Sequence, residues 1–241
     1  MDGGVPAADI AAASQRDGKA SVRIADGLRA CILSGELPPG TRIRQEDVAA
    51  RFRTSRIPVR GALRILESDG LVTLVANSGA WVARFSLAEC QEVYQTRERI
   101  EPLLVRYSIP AVTPDAVSRM DELADLMESA PDPETFLRLD REFHLLSYSG
   151  ADTVVLGGMV QRLWNMTQHY RLAFLRLLDP ATARAVHDEH RMLARALQAR
   201  DEEQAELVVR CHIRRTRLRL ALHSEVFGPA SPRGRPDGQK P

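Results

Sequence analysis

Residues 54–72 read TSRIPVRGALRILESDGLV, and this stretch decides the fold of the N-terminal third. Ser55 is a good helix N-cap, because its hydroxyl can accept a bond from a free amide of the first turn. Pro58 falls in that turn, where a missing N–H costs little. Val59, Leu63 and Leu66 recur at helical spacing and give one apolar face, which Gly70 closes. Polar residues gather at the start of this helix. Arg56 can grip guanine O6 and N7 through two parallel hydrogen bonds, and Arg60 lies on the same face. Thr54 and Ser55 can reach phosphate oxygens. The N-terminal end of a recognition helix is the part that enters a major groove.

The flanking residues extend the pattern. Ile24, Leu28 and Ile32 predict a helix over 21–34, ended by Gly35 and kept from resuming by Pro38, Pro39 and Gly40. A short helix fits 45–52, with Val48 and Phe52 inward. After Gly70 the period changes: residues 71–76 alternate, Asn77, Ser78 and Gly79 offer turn chemistry, and Trp81, Val82 and Ala83 resume extended. Three helices and a hairpin are the winged helix-turn-helix order. Arg42, Arg44 and Arg53 would add charge toward a phosphate backbone, and Asn77, Ser78 and Gly79 at the wing tip would touch the minor groove.

From Ser86 no strand is read. Helices are predicted at 86–109, 114–129, 132–149, 152–177, 179–199 and 201–226, separated by Pro110, Thr113-Pro114, Pro131-Asp132-Pro133, Gly150 and Asp179-Pro180. The expected architecture is mainly α: a winged helix-turn-helix at 18–85 and an antiparallel six-helix bundle at 86–227, with a flexible arm at 1–17 and a disordered tail at 228–241.

Composition agrees with this division. The chain has 241 residues, 44% apolar and 27% charged, and a net charge of +1. Residues 15–85 hold twelve Lys and Arg against seven Asp and Glu, whereas 86–227 are net acidic. A basic module on an acidic body suits nucleic-acid binding by the first part. No apolar run is long enough to span a bilayer, the first twenty residues lack signal-peptide grammar, and three scattered cysteines suggest reduced thiols. A cytoplasmic location and no membrane partner are expected.

A second chemistry is written in LDREFH, residues 139–144. Asp140 and His144 lie four apart and point the same way from a helix, a spacing that suits two ligands of one ion. Later helices offer His190 and His212. Three imidazoles and a carboxylate would suit Zn²⁺, Mn²⁺ or Ni²⁺. His187 competes with His190, while His169 and His223 read as surface or structural. The motif His-Glu-x-x-His is absent. A metal-dependent enzyme fused to a DNA-binding module remains an alternative function, and a purely structural metal is another.

The stretch ILSGELPPGTRI (32–43), then TSRIPVRGALRILESDGLV, then NSGAWV (77–82), resembles the DNA-binding domain of GntR-type bacterial regulators. The resemblance implies that Ser55, Arg56, Pro58 and Arg60 occupy recognition-helix positions, with Gly79 in the wing. The chain departs from the pattern at Arg53, where glycine is usual, at Ile57, where threonine is usual and an apolar contact with a thymine methyl becomes available, at Gly61, where glutamate is common, and at Ser78, often arginine. The second part is similar to the helical FCD-type effector domain of the FadR-like branch, and its six helices resemble the VanR-like subgroup. In that branch an Asp, a His four later and two later His hold a metal, a pattern that Asp140, His144, His190 and His212 match. Asp152 replaces a common asparagine. The resemblance further implies a small carboxylate effector on the metal, with Arg97 in YQTRERIEP (94–102) as its clamp. An ion pair of Arg97 with Glu101 is the competing reading, and Arg171 is a further candidate. The expected function is a ligand-responsive regulator, a repressor in the commoner mode, that binds a near-palindromic double-stranded DNA operator as a homodimer, and not an enzyme.

Overall fold

The computed structural model describes residues 7–76 and 79–227, with side chains from Arg16 onward. These residues form two compact units, one running to Arg84 and the other starting at Phe85.

The first unit opens with helix α1 (Ala7–Leu33). It begins inside the segment expected as a flexible arm at 1–17, and well before the expected start at 21. The sequence supplies the reason: Ala7, Ala8, Ala11, Ala12 and Ala13 are the strongest helix formers, and no proline interrupts the run to Leu33. Strand β1 (Arg42–Ile43), α2 (Gln45–Arg51), α3 (Arg56–Ser68), β2 (Val72–Val75) and β3 (Gly79–Val82) follow. The sheet is antiparallel in the order β1-β3-β2, pairing Arg42 with Trp81 and Thr73 with Trp81 from the other side. Strand β1 is too short to show an alternation in sequence, so only the hairpin was legible. Ile24, Leu28, Val48, Val59, Leu63, Leu66, Val72 and Val82 form one core.

Gly61 explains itself here. A Cβ at this position would lie 2.4 Å from Ser21 Oγ of α1. The departure from glutamate therefore serves the close seating of α1 on α3.

The second unit contains α4 (Leu87–Ser108), α5 (Pro114–Glu128), α6 (Pro133–Ser147), α7 (Leu156–Arg176), α8 (Pro180–Ala199) and α9 (Glu202–Ala221), then a short 3₁₀ turn at Ser224–Val226. The capping chemistry is local. Ser86 and Glu89 form a reciprocal capping box on α4, and Thr113, Asp132, Asp179 and Asp201 accept first-turn amides of α5, α6, α8 and α9. Prolines 114, 133 and 180 stand at helix starts. Helix α7 starts at Leu156, four residues after the expected 152, and Thr153 Oγ1 accepts the Gly157 amide at 2.9 Å. Helix α9 ends at Ala221 instead of 226.

Helices α4 and α9 run antiparallel, tied by Arg217 to Glu98 at one end and by Arg106 to Glu202 and Glu206 at the other. Gly150, after α6, donates its amide to Ser108 Oγ at 2.9 Å. A Cβ there would meet Ser108 O at 2.3 Å and Val112 N at 2.5 Å. The chain leaving α6 is thus pressed against the turn that ends α4. Among the described residues Cys31, Cys90 and Cys211 are free thiols, and no helix is long and apolar enough to cross a membrane.

Candidate functional site

In the helical unit, α6 turns Asp140 and His144 into the interior, α8 supplies His190 and α9 supplies His212. One ligand atom from each lies within 4.8 Å of the others. Asp140, His144 and His190 are nearly inaccessible, at 3%, 3% and 1% exposure. His190 Nε2 stands 3.1 Å from Asp140 Oδ1, and His144 Nε2 is 3.6 Å from the same oxygen. The His212 ring lies 5.0 Å, centroid to centroid, from both His144 and His190. His187, the competing ligand, instead packs its edge on Phe136.

Burial disfavours the charged imidazole, so all three rings are held below their ordinary pKa, His144 and His190 strongly. Neighbouring imidazoles push the same way: His190 on His144, and His212 on His190. Each ring therefore keeps a lone pair at neutral pH. Both nitrogens of His144 and Nδ1 of His190 are buried without a hydrogen-bond partner. Buried polar atoms are rarely left this way. Neutral nitrogens with one carboxylate, converging on one point, fit a divalent transition metal.

Two arginines border this cluster. Arg97 donates from Nε to Glu101 Oε1 at 2.5 Å and from Nη1 to Thr167 Oγ1 at 2.8 Å. Tyr148 donates to the other oxygen of Glu101 at 2.8 Å. The ion-pair reading of Arg97 is thus realised, and yet Arg97 also lines a cavity of about 10 Å³ together with His144, Trp164, Arg171 and His212. Arg171 pairs with Asp140 itself, and its guanidinium stacks 3.8 Å from the Trp164 ring centroid. A second cavity of about 20 Å³ touches Phe136, Asp140, Arg171 and His212. Either void holds about one water.

One residue of the site escaped the sequence reading. Glu189 of α8 accepts from His212 Nδ1 at 3.0 Å and from Arg215 at 2.6 Å and 3.0 Å. Burial alone would raise its carboxyl, but the bonds from His212 and Arg215 hold it down at about 2. Its neighbours in His187-Asp188-Glu189-His190 hinted at metal chemistry, but only the seating of α8 on α9 brings it to His212.

In the first unit Arg42, Arg44, Arg53, Ser55, Arg56, Ile57 and Arg60 are exposed, while Pro58 and Val59 are buried. The charged start of α3 therefore faces outward and its apolar face inward. Ser55 is the N-cap, extended at ψ 172°, but its hydroxyl makes no capping bond. Arg56 rests against Glu46 of α2 at 3.2 Å, and Arg42 lies 5.6 Å over the Trp81 ring, beside Gly79. Asn77 and Ser78 lie outside the described residues. Arg53, where glycine was the expected residue, has φ 50°, in the left-handed region.

Residues 20–82 match the family described as bacterial regulatory proteins, gntR family, and residues 92–215 match the FCD domain. The chain is 30% identical over 197 residues to an uncharacterized HTH-type transcriptional regulator, BphR, of Paraburkholderia xenovorans, covering 77% of this chain and 79% of that one. It is 27% identical over 191 residues to the HTH-type transcriptional repressor GlaR of Escherichia coli, covering 76% and 87%. The solved structure of E. coli McbR shares the fold with a TM-score of 0.72 at 23% identity, covering 86% of this chain and 98% of that one. The two sequence relatives are named as transcriptional regulators, which favours the regulator reading over the metalloenzyme alternative. With its N-terminal winged helix and its helical FCD domain, the chain belongs to the GntR family of DNA-binding transcriptional regulators.

Proposed function

We propose that the protein is a cytoplasmic, metal-dependent repressor of the VanR-like subgroup that senses a small organic acid. The winged helix at 18–85 binds a near-palindromic operator, and the domain at 86–227 binds the acid and joins two copies. The observation that carries this reading is the convergence of Asp140, His144, His190 and His212 inside the bundle.

These four residues would hold Zn²⁺, Mn²⁺ or Ni²⁺, and the bound ion would supply a Lewis-acidic position for a carboxylate. Arg171 and Arg97 offer guanidinium forks beside it. In the present arrangement Arg171 is engaged with Asp140, and the voids are too small for an organic acid. Admission of the acid therefore requires Arg171 to exchange Asp140 for the incoming carboxylate. The DNA response equals the difference in ligand affinity between the two arrangements.

A second copy is supported by helix α9. Leu207, Cys211, Arg214 and Leu218 recur at steps of four, three and four along its exposed side, opposite the buried Val208, Val209, Ile213 and Leu220. On the same side the exposed Glu203 lies at one end of the helix and the exposed Arg214 toward the other. An antiparallel copy would set each end against its opposite charge.

Selection of duplexes from a random pool, with and without metal and organic acids, tests the function. Arg56→Ala is expected to weaken binding to the selected operator by about 1–3 kcal/mol. Unchanged affinity would remove Arg56 from base reading, and a purified homodimer with no preference for any duplex would reject the proposal.

Arg53 gives a second test. A non-glycine residue in the left-handed region costs about 1–2 kcal/mol, partly offset by the unfolded-state entropy of glycine. Arg53→Gly is therefore expected to stabilise the winged helix by about 0.5–1 kcal/mol while lowering the salt dependence of DNA binding by about one phosphate contact. A strained arginine kept for phosphate binding loses its rationale if Tm rises and DNA binding stays the same.

A further inference from the structure

Of the three clustered imidazoles, only His212 has a hydrogen bond that fixes its ring from outside the cluster. Neither nitrogen of His144 has a partner, and Nδ1 of His190 has none. His212 Nδ1 faces Glu189 Oε2 at 3.0 Å, and a carboxylate can only accept, so the proton sits on Nδ1. That leaves Nε2 of His212 as a bare lone pair. Glu189 is in turn locked: its other oxygen, Oε1, receives Nε and Nη2 of Arg215. With both oxygens occupied and only 10% of its side chain accessible, Glu189 is not itself a free ligand.

We infer that Glu189 is a positioning residue for the metal centre. It fixes the tautomer and rotation of His212 so that Nε2 is presented to the site, and Arg215 anchors Glu189 from the outer side. The arrangement has the logic of a carboxylate–histidine–metal triad, in which the outer carboxylate also makes the imidazole a stronger donor. It has a further consequence for the helices. Helix α8 contributes His190 directly and holds the α9 ligand through the preceding residue, so the spacing of two ligands on different helices is set by two consecutive side chains of one helix. Arg215, on α9 three residues after His212, closes the loop back onto α8. The inference rests on the metal reading of the cluster.

The test uses the full-length protein and Zn²⁺ as the probe, with affinity measured by competition against a chelator. Glu189→Gln keeps the shape but removes the charge and is expected to weaken Zn²⁺ binding 10–100-fold. Arg215→Gln, which loosens Glu189 without touching His212, is expected to give a smaller loss in the same direction. His212→Ala sets the scale for complete loss of that ligand. A merely structural role would not move the tautomer, so ¹⁵N shifts of the His212 ring are read in metal-free protein. Parent protein should show a protonated Nδ1 and a bare Nε2, and Glu189→Gln a mixture of the two tautomers. Parent-like Zn²⁺ affinity in Glu189→Gln, or a His212 tautomer that ignores the substitution, overturns the inference. Should the parent bind no Zn²⁺, the metal reading fails, and the ¹⁵N readout still decides whether Glu189 orients His212. If Glu189→Gln does not fold, Arg215→Gln carries the same two readouts.

Discussion

Arg97→Ala is expected to destabilise the helical unit by about 3–5 kcal/mol, the cost of stranding a buried charge whose partner has been removed. The stranded charge is Glu101, at 1% exposure. Burial pushes its carboxyl up, while the Arg97 charge, the Arg97 bond and the Tyr148 hydroxyl together pull it below the ordinary value. In the parent, this depressed carboxyl contributes stability above the unfolded-state value, near pH 4.3. That contribution is lost as pH falls through the lower folded-state value. Without Arg97 the balance reverses: burial dominates, protonation of Glu101 favours the folded state, and the deficit relative to the parent narrows on acidification. Urea unfolding at pH 7 and pH 5 measures both effects. Arg97→Met with Glu101→Gln should recover most of the loss, because a neutral amide still accepts from Tyr148 and no charge is stranded. A single variant within about 1 kcal/mol of the parent would show that the pair carries little. Because Arg97→Ala would confound folding with any ligand response, the proposed effector role is better read with Arg97→Lys, which keeps the charge and loses the fork.

Gly150→Ala is the second large effect, about 3 kcal/mol at the upper end of overpacking costs. The added carbon would fall 2.3 Å from Ser108 O and 2.5 Å from Val112 N. Both obstacles are backbone atoms in the turn that ends α4, so no side chain can rotate away. The Gly150 amide bond to Ser108 would be displaced as well. For a domain of this size the loss corresponds to roughly 6–12 °C in Tm. A calorimetric shift below about 2 °C would mean that the turn yields.

The sequence displayed the winged helix because its signals are local: a cap at Ser55, proline in a first turn, glycine after the last, then a change of period. The six helices of the second unit were legible for the same reason, since caps and prolines mark nearly every boundary. Boundaries slipped where no such residue stands. The start of α1 depends on alanine propensity without apolar periodicity, and α7 begins past an apolar stretch, Val154-Val155, that reads as helix but is exposed. In the candidate site, Asp140 and His144 were visible as an i, i+4 pair, whereas their meeting with His190 and His212 is tertiary. Arg97 had two sequence readings, and the fold satisfies the ion pair while keeping the residue on the cavity wall. Glu189 and the pairing of Arg171 with Asp140 were not legible, because each joins side chains from different helices with no fixed spacing between them.

The chamber beside the histidines comprises voids of about 10 and 20 Å³. Its smallness has a consequence in time. On the proposed function, an acid would need the helices to part before it could enter, so its arrival rate would level off at the frequency of that opening, however much acid is added. The same closure would then retard its escape. Under that proposal the regulator would average over brief fluctuations in supply and change state only when abundance persists.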